Sequence, residues 1–162
     1  MAYKRPIILL IVALIVPIIA ACGALTLPSR STADRDQLTE QIDQAERRWQ
    51  AQAVTSYHIA GRQIAFGPGY TYELTVRNGS IVDQACREQI GRTNWCQTNF
   101  KPEQYTIPSL FAFARSQVLD TQRKTTITFD KVYGYPTRIF SDIPEAVDDE
   151  VTLLVTAFEV LK

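Results

Sequence analysis

Tyr70-Thr71-Tyr72-Glu73-Leu74-Thr75-Val76-Arg77-Asn78-Gly79-Ser80 is the stretch on which the fold reading turns. Apolar Tyr70, Tyr72, Leu74 and Val76 alternate with Thr71, Glu73, Thr75 and Arg77, the period of a strand with one buried face. Asn78-Gly79 then tolerates positive φ at both central positions of a type I′ turn, which sends Ser80 to Ala85 back as an antiparallel partner. Upstream, Ser56 to Phe66 reads as a strand leading into a Gly67-Pro68-Gly69 turn. The Asn78-Gly79-Ser80 triplet also fits a glycosylation acceptor, but here it is read as turn chemistry.

Working outward, Leu38, Ile42, Ala45 and Trp49 recur at helical spacing from Asp34 to about Ala53, with Ser31 and Thr32 available as caps. On the other side, Cys86 to Thr106 has no sustained period and reads as a long loop. Ile107, Leu110, Phe111, Ala114 and Val118 mark an amphipathic helix to about Asp120, with Thr106 placed to cap it and Pro108 suited to its first turn. Strands are expected at Lys124 to Asp130, Tyr135 to Ser141 and Val151 to Val160, with Pro136 fitting an edge or a bulge. The sum is an α+β domain, a single antiparallel sheet of about five to six strands with helices packed on one face.

The chain has 162 residues, enough for one such domain and a tether. Lys4 and Arg5, the uncharged apolar run from Ile7 to Ala21, and Ile19-Ala20-Ala21-Cys22 follow the order of a secretory signal. The last four residues resemble the bacterial lipobox, in which Cys22 receives the lipid and becomes the first residue. The expected organisation is a signal peptide over 1–21, lipidated Cys22 and a linker over 22–33, and an extracytoplasmic domain over 34–162. An uncleaved membrane helix is the competing reading, because the apolar stretch continuing through Leu27 reaches 21 residues, about the length that spans a bilayer core. Both readings put the domain on the outer side of the cell membrane.

Three cysteines suit that location if Cys22 is consumed by lipid and Cys86 pairs with Cys96. Two cysteines and distant His58, the one histidine, give no zinc spacing, and no other metal or cofactor motif is present. Lys+Arg and Asp+Glu are equal at 17 each, and no run of basic residues offers a footprint for nucleic acid.

Trp49, Ser56-Tyr57, Val76-Arg77-Asn78-Gly79, Ile107 to Phe111, Phe129-Asp130, Tyr133-Gly134-Tyr135-Pro136 and Asp148-Asp149-Glu150 together resemble an uncharacterised bacterial family. It is the domain of unknown function six-one-seven-four, found in exported and lipoprotein-like proteins, and the similarity spans about Trp49 to Leu161. The resemblance implies a small extracytoplasmic α+β domain and brings no catalytic residues. In that family cysteines often lie near the first strand, a pattern from which Cys86 and Cys96 depart.

No nucleophile elbow accompanies His58. Asp142, Glu145, Asp148, Asp149 and Glu150 lack the spacing of a calcium loop and read as a solvated turn. Asp130 reads as an Asx-type turn residue. The remaining candidate surface is the stapled loop, where Arg87, Arg92, Asn94, Trp95 and Phe100 have the Arg and aromatic content of binding surfaces. The expected function is that of a non-enzymatic, membrane-tethered binding or accessory module of the cell envelope with an unidentified partner. The alternatives are an envelope hydrolase built around Asp130, His58 and the acidic turn, or a purely structural lipoprotein.

Overall fold

The computed structural model describes residues 30–65, 69–88 and 95–162. The signal, the lipobox and Cys22 lie outside these residues. Helix α1 (Arg30–Ala51) leads into β1 (Tyr57–Ala65), β2 (Tyr70–Arg77) and β3 (Ser80–Glu88). The short helix α2 (Trp95–Asn99) and a 3-10 turn (Pro102–Tyr105) follow, then α3 (Ile107–Leu119) and the strands β4 (Lys124–Phe129), β5 (Pro136–Asp142) and β6 (Val151–Val160). The six strands form one antiparallel sheet in the order β3-β2-β1-β6-β5-β4. The last strand is therefore central, and it joins the β1–β3 half to the β4–β5 half.

Alternation decides which face is covered. Tyr57, Ile59, Tyr72, Leu74, Val76, Ile139 and Leu153 point into the core, where they meet Ile42, Ala45 and Trp49 of α1 and Ile107, Leu110, Phe111 and Ala114 of α3. Arg115 on α3 pairs with both Asp43 and Glu46 on α1, clamping the two helices side by side. The opposite sheet face is covered by no described element.

The Asn78-Gly79 turn has φ of 49° and 77°, the all-positive backbone expected of a type I′ hairpin. It is also tied to the chain entering β1, because Asn78 N–H donates to Ser56 Oγ at 3.1 Å and Gly79 N–H to the Thr55 carbonyl at 2.8 Å. Pro136 sits where the β4–β5 register shifts, two residues before β5 begins pairing with β6 at Arg138. Its missing N–H costs no ladder bond there.

Three expectations need correction. α1 starts at Arg30, so Ser31 and Thr32 lie within its first turn and do not precede it. Residues 30–34 contain no glycine or proline, so no strong breaker stops the helix from continuing backward from Asp34. The segment from Cys86 to Thr106 is not one loop, since Cys86 belongs to β3 and the rest includes α2 and the 3-10 turn. Thr106 occupies the N-cap position of α3 without a side-chain cap bond. Instead, the buried Ile107 N–H donates to the Tyr57 hydroxyl at 3.1 Å, so a strand residue caps the helix.

Candidate functional site

The family-signature residues form a structural clasp. Trp49, Tyr57, Tyr133 and Tyr135 all surround Phe158 of β6, with ring centroids between 4.5 and 5.8 Å from it. Gly134 has φ of 88°, and a Cβ there would lie 2.4 Å from the Ala45 carbonyl of α1. Only glycine permits that approach. Asp130 holds the turn by accepting from the Val132 and Tyr133 N–H groups at 2.9 and 2.6 Å, the Asx arrangement read from the sequence.

His58 lies on the uncovered sheet face, opposite Glu159 and Thr75. Asp130 follows β4, three strands away, which is roughly 14 Å at normal strand spacing. Its carboxylate is committed to the turn on the helix side. Asp149 in the acidic segment accepts from Ile143 N–H at 2.9 Å and pairs with Arg123 at 3.0 Å. The three parts invoked for hydrolysis thus occupy separate places. Among the described residues, no three of His, Cys, Asp and Glu converge as a metal site.

Cys86 and Cys96 are joined by a disulfide, their Cα atoms 5.8 Å apart. The staple is reinforced where Cys96 N–H donates to Glu88 Oε1 at 2.7 Å. Of the residues expected to bind, Arg87 is exposed on the uncovered sheet face, whereas Phe100 packs inward against Tyr105, with centroids 5.5 Å apart. Trp95 opens α2, and Arg92 and Asn94 lie outside the described residues. The structure therefore does not gather Arg87 and Phe100 into one surface.

The stapled segment instead delivers its far end to a cleft of about 350 Å³, where Glu103, Gln104 and Tyr105 face Gln63 of β1, Leu153 of β6, and Ser109 and Phe113 of α3. Its volume is at the small end of the range for ligand sites. Behind the wall runs a hydroxyl relay. The Tyr105 hydroxyl donates to Gln63 Oε1 at 2.9 Å, so its contact with Tyr70 is one in which Tyr70 donates. Burial pushes the Tyr105 phenol up from its ordinary value and the hydrogen bond from Tyr70 pulls it back, while burial and Tyr105 both push Tyr70 up. With its oxygen occupied, Gln63 presents two amide donors that bond to nothing among the described residues. Glu103 supplies exposed acceptors and Phe113 a half-buried ring. Local sequence could not assemble this set, because Gln63, Tyr105 and Phe113 come from three elements; the Pro102 turn was the one local sign of a break in the supposed loop.

A second cleft of about 370 Å³ lies where the start of α1 meets the end of α3 and β4, lined by Asp34, Arg35, Leu38, Arg123 and Thr125 among others. Much of its polar lining serves the fold. Arg123 pairs with Asp120 and Asp149, and Thr125 Oγ1 donates to the Gln117 carbonyl at 3.0 Å.

These features define a small antiparallel α+β domain with a disulfide-stapled wall beside a mixed polar cleft. The chain belongs to the family of unknown function DUF6174, whose model matches residues 41–160. Comparison with curated proteins and with solved structures gives no match.

Proposed function

We propose that this chain is a non-enzymatic binding module of the bacterial cell envelope, lipid-tethered at Cys22 on the outer side of the cell membrane, that holds a small polar ligand in the Gln63–Tyr105–Phe113 cleft. The observation that carries the binding reading is the stapled segment itself. A disulfide, a helix and a 3-10 turn position Tyr105 against Gln63, leaving unspent amide donors beside carboxylate acceptors and a ring. That lining suits a neutral molecule rich in hydroxyl or amide groups. The tether reading is supported by the apolar run ending at Ile19-Ala20-Ala21-Cys22 and by an even cysteine count once Cys22 is set aside.

The test is native mass spectrometry of the full-length protein purified from membranes and re-exposed to the small-molecule fraction of an envelope extract. The wild type is expected to carry an adduct that Ser109→Trp, which fills the cleft, lacks. A wild type as bare as the variant overturns the binding reading. For the tether, the mature chain is expected to begin at Cys22 with added acyl mass, and Cys22→Ala is expected to remain unprocessed; an unlipidated wild type overturns it.

A further inference from the structure

The uncovered sheet face carries a basic row that no window of the sequence contains. In the strand register Arg87 lies opposite Thr71, Thr71 opposite Arg62, Arg62 opposite Leu154, Leu154 opposite Arg138 and Arg138 opposite Thr128. One level therefore crosses all six strands with arginine on every second strand up to Arg138, and successive arginines stand about 10 Å apart. Arg87 and Arg138 are exposed and Arg62 is half-buried. Among the described residues no ion pair engages any of the three. The Arg138 guanidinium lies over the Phe140 ring at 5.8 Å, which restrains its direction. On one side the row is flanked by uncharged Ile64, Thr152, Phe140 and Thr126; on the other, the nearest acid is Glu73, one level away.

We propose that this row binds a linear polyanion whose charges are phosphates, laid across the strands. Guanidinium forks match phosphate oxygens, and a phosphodiester stays ionised in mildly acidic surroundings where carboxylates begin to protonate. A polymer with closely spaced charges has an anion within reach of each arginine, whatever the offset. A flat anionic bilayer fits less well, because Asp83, Asp142 and Glu159 share the face and would be pressed against it. A nucleic acid would want aromatic platforms for its bases, and the ring beside the row, Phe140, already lies under Arg138. The site is separate from the cleft and stands without it.

The test uses the full-length protein in a neutral detergent with fluorescently labelled long-chain polyphosphate. Three contacts release counterions, so log affinity should fall with log salt at a slope of about −2, and Arg62→Gln and Arg138→Gln should each flatten it by about 0.7. Lys124→Gln, on the same face but off the row, should leave affinity and slope unchanged. Arg62→Lys should keep the slope while weakening binding, which covers the case in which Arg62→Gln fails to fold. Ser109→Trp should bind polyphosphate like the wild type, separating this site from the cleft. The proposal is overturned if the row variants bind like the wild type, or if Lys124→Gln loses as much as they do. It also fails if orthophosphate competes as well per phosphate as the polymer, or if a single-stranded oligonucleotide binds more tightly.

Discussion

Two tyrosines on neighbouring strands show how differently one hydroxyl can act. The Tyr57 hydroxyl accepts the N–H of fully buried Ile107, satisfying an amide that α3 cannot bond internally. The Tyr72 hydroxyl is buried against Gly61 with no partner among the described residues. A Cβ on Gly61 would lie 2.3 Å from that oxygen, so glycine there makes room for the ring. Tyr57→Phe strands a buried donor and should cost about 1–3 kcal/mol in urea unfolding, whereas Tyr72→Phe removes an unsatisfied group and should be neutral or stabilising by up to about 1 kcal/mol. Equal losses in the two variants would contradict these assignments.

At the scale of elements, the staple ties the end of β3 to α2. Closing a loop across a sequence separation of 10 should contribute about 3 kcal/mol through restriction of the unfolded chain. Reduction should therefore lower the melting temperature. Because Phe100 stacks on Tyr105, it should also loosen the cleft wall more than the distant Trp49–Phe158 cluster. Hydrogen exchange before and after reduction checks this: greater protection loss at Gly134 than at Tyr105 would contradict it. The Arg115 clamp between α1 and α3 is partly exposed, so its contribution is smaller than its two partners imply.

For the molecule as a whole, the core is rich in buried phenols. Burial raises Tyr57, Tyr70, Tyr72, Tyr105 and Tyr135 above the ordinary tyrosine value of 10.0. Below pH 10 both folded and unfolded chains keep these protons, and stability is unaffected by them. Above it the unfolded chain loses protons that the folded one retains, so stability falls as pH rises, by up to about 1.4 kcal/mol per unit for each such tyrosine. Alkaline unfolding should thus coincide with a cooperative burst of phenolate absorbance. Gradual ionisation of these five in a still-folded protein would contradict it.

The hairpin at Asn78-Gly79, the α3 stripe, the bulge at Pro136 and the Asx turn at Asp130 were legible in the residues because each depends on neighbours within one turn or one strand pair. The pairing of Cys86 with Cys96 was legible by counting. The chain alone could not show β6 entering between β1 and β5, since that pairing joins residues nearly a whole domain apart and is decided by which apolar faces can be buried together. Tertiary structure alone turned the stapled loop into the wall of a cleft and left Phe100 inside. It alone aligned Arg62, Arg87 and Arg138, because strand register, which no single segment carries, determines which side chains become neighbours across a sheet.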